Sequence, residues 1–165
     1  MSTIQITRVI GSLLPAFRNA VSARTIAPPL SRKCTTTSDL DPVQYEKACS
    51  ETLESLSEYF EEIVEQVDHL KMSDISYGDG VLTVNFGPTY GSYVINRQTP
   101  NKQIWLSSPT SGPKRYDFVG DVETENGKWI YRHTGETLHE LLQKEIKEIA
   151  KTNVDFFKLP FSKAS

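Results

Sequence analysis

Between residues 74 and 131 apolar side chains alternate with polar ones in short runs, and glycine or proline separates most of the runs. The runs are Asp74–Tyr77, Val81–Phe86, Tyr93–Gln98, Gln103–Ser108, Arg115–Phe118 and Trp129–Tyr131. The breaks include Gly78-Asp79-Gly80, Gly87-Pro88, Thr99-Pro100-Asn101 and the stretch from Pro109 to Pro113. A period of two is that of a strand with one buried face. Links this short join antiparallel neighbours, because a parallel pair needs a crossover of roughly a dozen residues or more. The segment therefore reads as an antiparallel meander. The acidic stretch from Gly120 to Lys128 reads as a loose surface loop.

Helical periodicity flanks the meander on both sides. After Asp41, a capping residue, come Pro42 at the first helical position and Gln44 completing a capping-box pattern. Tyr45, Ala48, Cys49, Leu53, Leu56, Tyr59, Phe60, Ile63, Val64 and Val67 then recur in steps of three and four, which marks one buried helix face. A second helix starts near Thr137, with Glu140 three residues on, and buries Leu138, Leu141, Leu142, Ile146, Ile149 and Ala150. Phe156, Phe157, Leu159 and Phe161 form a tail apolar enough to pack back on the domain. Two amphipathic helices and one meander predict an α/β two-layer sandwich, an antiparallel sheet with both helices on one face.

Charge divides the chain. Residues 1–38 hold Arg8, Arg18, Arg24, Arg32 and Lys33 and no acid, a net +5. The other 13 basic residues face 21 acids, a net −8 for residues 39–165. In the basic part Ile6, Ile10, Leu13, Phe17 and Val21 recur at helical spacing among arginines, serines and threonines, the pattern of a mitochondrial transit peptide. A cleaved segment 1–38 and a domain 39–165 are thus expected. The acidic domain should repel nucleic acid and anionic membrane and attract cations or basic proteins. No apolar run reaches the roughly 20 residues of a membrane span. Of the two cysteines only Cys49 lies in the domain, which argues against a disulfide scaffold.

Two surfaces stand out. Glu51, Glu54, Glu58, Glu61 and Glu65 line one face of the first helix in 3-4-3-4 spacing, with Glu62 adjacent. Glu46, Asp68, Asp74 and Asp79 would extend the patch. Like charges at this spacing repel by a few tenths of a kcal/mol per pair. The patch reads as a solvated helix face, as a site for hard cations such as Fe²⁺, Mn²⁺, Mg²⁺ or Ca²⁺, or as a dock for a basic protein. With no His or Cys in it, cation binding would be weak, exposed and poorly selective. The second surface is the open face of the sheet, where alternation places Thr83, Asn85, Asn96, Gln98, Gln103 and Trp105. Uncharged amides around an exposed tryptophan fit a protein-docking face centred on Trp105 and flanked by Asn96, Arg97, Gln98 and Lys102. The alternative is a tryptophan covered by the chain's own loops.

Conventional catalytic patterns are missing. Glu136 and His139 make a single Glu-x-x-His, whereas di-iron bundles use two such motifs and further glutamates. Cys49 reads as a buried structural cysteine.

The run from Thr99 to Asp117, TPNKQIWLSSPTSGPKRYD, resembles the signature of the frataxin family, as do Gly80–Val84, Tyr93–Asn96 and Leu138–Leu142. The resemblance covers about residues 41–155. It implies the same two-layer fold, the mitochondrial matrix, and work in iron–sulfur cluster assembly, where frataxins bind the cysteine desulfurase–scaffold protein complex and accelerate persulfide transfer. The family's acidic ridge matches the helix stripe and Asp74, and binds iron (Fe²⁺ or Fe³⁺) and basic desulfurase surfaces. Its sheet-face contacts match Asn96, Gln98, Lys102, Gln103, Trp105 and Arg115, the last supplied by the resemblance alone. It also implies an alternative role as an iron chaperone and ferroxidase serving cluster and haem synthesis, with ferrochelatase as a further partner, in a monomer able to form iron-dependent oligomers. Arg97 stands where relatives often have Lys, and Met72 where some have an acid.

Overall fold

The structure, a computed structural model, describes residues 35–36 and 40–162. Apart from Thr35 and Thr36, the expected targeting segment lies outside the described residues. Helix α1 spans Pro42–Gln66. The Asp41 carboxylate accepts the Val43 and Gln44 backbone N–H groups at 2.8 and 2.9 Å, satisfying two donors that have no partner within the helix. The Gln44 side chain makes no return bond, so only half of the expected box forms. Helix α2 spans Leu138–Ala150, and there the box is complete: the Thr137 hydroxyl accepts from Glu140 N–H at 3.1 Å, and Thr137 N–H donates to the Glu140 carboxylate at 2.7 Å.

The sheet comprises β1 (Thr35–Thr36), β2 (Asp74–Gly78), β3 (Val81–Asn85), β4 (Ser92–Gln98), β5 (Gln103–Ser108), β6 (Gly112–Asp121) and β7 (Asn126–Tyr131). From β2 to β7 each strand pairs antiparallel with the next, the expected meander. The short β1 joins β6 beyond the end of β5, with Thr35 opposite Gly120 and Thr36 opposite Val119.

Both helices contribute to one core. Leu53, Leu56 and Phe60 of α1 and Leu138, Leu142 and Ile146 of α2 are fully buried with Leu82, Val84, Ile95 and Ile104 of the sheet. Each such side chain contributes about 1.5–3 kcal/mol of burial. Polar pins fix how the layers seat. Trp129 Nε1–H donates to the Thr52 hydroxyl at 2.9 Å, and the Tyr45 hydroxyl donates to the Gln103 carbonyl at 2.9 Å. The Glu145 carboxylate accepts from the Tyr93 and Ser108 hydroxyls at 2.9 and 2.6 Å. The tail packs back as expected through Phe156 and Phe161, although Phe157 stays exposed.

The expectation of a loose loop at residues 120–128 needs correction. Strand β6 continues to Asp121 and β7 begins at Asn126, so a tight hairpin replaces the loop. Two glycines permit it. A Cβ on Gly120, whose φ is +132°, would lie 2.2 Å from the Asn126 carbonyl oxygen. One on Gly127 would lie 2.1 Å from the Phe118 ring.

Candidate functional site

Strand register sorts the residues expected on the open sheet face into rows. Asn96 lies opposite Trp105, which lies opposite Arg115. One step along, Gln98 lies opposite Gln103, which lies opposite Asp117. The side chains of the two rows are linked. Gln103 Nε2–H donates to Asp117 Oδ1 at 3.0 Å, because that carboxylate can only accept. The Gln103 carbonyl oxygen is thereby left to take the Trp105 indole N–H, at 2.9 Å. The Arg115 guanidinium sits 4.3 Å from the centroid of the Trp105 ring, a cation–π contact worth about 0.5–1 kcal/mol at an exposed site. Asn96 Nδ2–H reaches Gln98 Oε1 at 3.4 Å. Trp105 is therefore half-buried and held in one orientation rather than freely exposed.

Two flanking residues sit elsewhere than expected. Arg97 follows Asn96, so the two-residue period turns it to the helix side of the sheet, where its guanidinium ion-pairs with Glu46 of α1. It does not share the face of Asn96 and Gln98. Lys102 occupies a left-handed turn position, φ 50°, after the 3-10 turn Thr99–Asn101, and its ammonium donates to the Leu40 carbonyl. It stands at the rim of the face and ties that rim to the entry of α1.

On α1 the acidic residues divide. Glu54, Glu58, Glu61 and Glu65 are exposed, and among the described residues none of them makes an ion pair. Glu51 is half-buried. Glu62 turns toward the C-terminal segment and meets Lys158 at 3.1 Å, and that ammonium also stacks 4.0 Å from the Tyr59 ring centroid. Asp68, in the short turn after α1, pairs with Lys71. Asp74 opens the edge strand β2, which packs beside α1. Among the described residues no three His, Cys, Asp or Glu side chains converge on one point. The arrangement is a line of carboxylates, able to attract cations by field and to hold one through a few oxygens and water.

Of the buried titratable groups, Asp117 sits in the open-face row, whereas Cys49 and His139 lie away from both surfaces. Burial pushes the Cys49 thiol up to about 12, so it stays protonated and non-nucleophilic. His139 is fully buried, its pKa is lowered to about 4 by burial, and among the described residues neither ring nitrogen has a partner. It packs inside the domain. Sequence reading missed Asp117, which orients Gln103 and also pairs with Arg132 Nε at 2.5 Å. Period two already placed Asp117 on the open face, so its alternation with Arg115 was the available signal.

Comparison with known proteins gives one family. A profile described as a frataxin-like domain matches residues 38–152. The mitochondrial frataxin homolog of Drosophila melanogaster is 60% identical over 132 residues, covering 79% of this chain and 68% of that one. Mitochondrial frataxin of Caenorhabditis elegans is 51% identical over 114 residues, 68% of this chain and 80% of the relative. A crystal structure of trimeric frataxin from Saccharomyces cerevisiae, complexed with ferrous iron, superposes with a TM-score of 0.54 at 33% identity, covering 64% of this chain and 87% of that one.

Proposed function

The chain belongs to the frataxin family and is mitochondrial, and from that premise we propose that it is an iron-binding regulator of iron–sulfur cluster assembly in the matrix. In this reading residues 1–38 are removed as a transit peptide. The domain then binds the complex of cysteine desulfurase with its scaffold protein and promotes persulfide transfer, performing no bond chemistry itself. The observation that carries the reading is the Asn96–Trp105–Arg115 row with Gln98 and Gln103 beside it. A tryptophan and an arginine at the centre of a patch, ringed by uncharged amides, have the composition of a binding hot spot. Their orientation is fixed in advance by Asp117 and Gln103, which lowers the ordering cost of docking. Lys102 serves at the rim. Arg97 acts instead on the helix side, holding Glu46.

Iron enters as cargo on the α1 ridge. The donor set fits Fe²⁺ chemistry: Glu54, Glu58, Glu61, Glu65 and Asp74 offer hard oxygen ligands without thiolate or imidazole. Glu51 lies at the near end of this line. Glu62 and Asp68 contribute less, since each already has a lysine partner. The ferrous complex of the yeast relative supports this assignment. The same ridge supplies the second reading, an iron chaperone with ferroxidase activity. An exposed carboxylate line without supporting hydrogen bonds favours binding over catalysis.

The test is sulfide production by a purified desulfurase–scaffold complex with and without the protein, beside a direct Fe²⁺ titration. The regulator reading expects stimulation of sulfide release. Iron binding with no stimulation would transfer the function to the chaperone reading.

A further inference from the structure

The ladder between β6 and β7 stops at the pair Tyr116 and Tyr131. Beyond it, Thr134 and Gly135 N–H groups both donate to the Tyr131 carbonyl, at 3.2 and 2.8 Å, and this turn carries the chain away from β6. Among the described residues, the β6 segment from Pro113 to Arg115 consequently pairs with β5 alone. A cleft of about 500 Å³ opens where the two chains part.

Its walls are cationic. Lys114, Arg115, Arg132 and His133 line it, with the Tyr131 ring between them. Lys114 Nζ lies 5.8 Å from the centroid of that ring and the His133 ring 5.0 Å from it. The single acid in the lining is Asp117, and both its oxygens are engaged, Oδ1 by Gln103 and Oδ2 by Arg132 Nε. Among the described residues Arg115 has no carboxylate within ion-pairing distance, and Lys114 donates only to the Ser111 carbonyl, at 3.1 Å. With Arg132 compensating Asp117, Lys114 and Arg115 remain as two uncompensated permanent cations, on a domain whose net charge is otherwise negative.

We propose that this cleft receives carboxylate side chains, taking an acidic segment of the protein that docks on the Trp105 face. The inference rests on the docking reading above. Guanidinium groups present paired N–H donors to carboxylates and accept burial better than ammonium groups. Arg115 belongs both to the cleft and to the Trp105 row, so one partner surface that covers the tryptophan passes directly over the cleft. That continuity selects a protein-borne acid over a free small anion.

The experiment titrates the full chain, followed by amide NMR shifts, with an end-blocked hexaglutamate peptide and separately with inorganic phosphate. Saturable shifts centred on Arg115, Arg132 and His133 are expected, with the peptide bound at least about tenfold more tightly than phosphate. Lys114→Glu and His133→Glu should each weaken peptide binding severalfold, and His133 is exposed enough that its replacement leaves the fold intact. The same variants should raise the concentration needed for half-maximal stimulation of the desulfurase–scaffold complex about tenfold. Shifts scattered over the surface, or phosphate binding as tightly as peptide, would overturn the proposal. Peptide binding lost in the variants with stimulation unchanged would overturn the docked partner as occupant. If Trp105→Ala leaves stimulation unchanged, the docking reading fails on its own, while the peptide titration still decides whether the cleft takes carboxylates.

Discussion

At the scale of single residues, His139 carries an unpaid desolvation cost. It is completely buried with both ring nitrogens unbonded among the described residues, and burial lowers its pKa to about 4 from an ordinary 6.5. Below pH 6.5 the unfolded chain takes up a proton that the folded chain refuses until about pH 4, so folding stability falls with acidification across that window. Between pH 7 and pH 5 this one group removes about 2 kcal/mol. Denaturant unfolding of His139→Leu at the two pH values should show a loss smaller by about that amount. Sequence reading did not place His139 on the buried face of α2, although it lies three and seven residues before Leu142 and Ile146. The empty hydrogen-bonding positions on its ring were not readable in the sequence, because they depend on what the opposite layer presents. Gly127 is a second such residue. Its replacement by alanine drives a methyl into the Phe118 ring, and a loss of about 1–3 kcal/mol is expected in the same assay.

At the scale of elements, local chemistry was the most legible part of the chain. Strand β5 spans Gln103–Ser108 as read, and the α2 capping box forms with both bonds. Thr137→Ala should cost about 1 kcal/mol, visible as a lowered thermal midpoint. The β6–β7 hairpin was not legible, because its acidic, glycine-bearing stretch resembles a solvated loop until Gly120 and Gly127 are seen to allow close backbone contact. Arg97 shows the opposite failure: the period that places Asn96 outward also places Arg97 inward, toward Glu46. On the proposed iron role, helix α1 sets stability against function. Replacing Glu54, Glu58, Glu61 and Glu65 with glutamine relieves repulsions of a few tenths of a kcal/mol per pair, so the thermal midpoint should rise. Fe²⁺ binding, followed by titration, should be lost in the same protein.

At the scale of the whole molecule, the two-layer architecture separates two surfaces. The ridge lies on a helix outside one layer, and the Trp105 rows lie on the face of the sheet away from the helices. Both were visible in the sequence as unmixed charge on one helix face and as amides around a tryptophan. What register alone reveals is their detailed composition. Asn96, Trp105 and Arg115 come from three strands, and Arg132 reaches Asp117 only through the β6–β7 pairing. No spacing along the chain announces that Arg132 and Arg115 line one cleft.

The central claim is that the Trp105 row docks the desulfurase–scaffold complex independently of iron on the ridge. It is tested most directly by comparing Trp105→Ala with the unaltered protein in sulfide production and Fe²⁺ titration together. The expected result is stimulation of sulfide release lost in Trp105→Ala, with Fe²⁺ binding and the thermal midpoint close to those of the unaltered protein. Stimulation undiminished in Trp105→Ala would contradict the account.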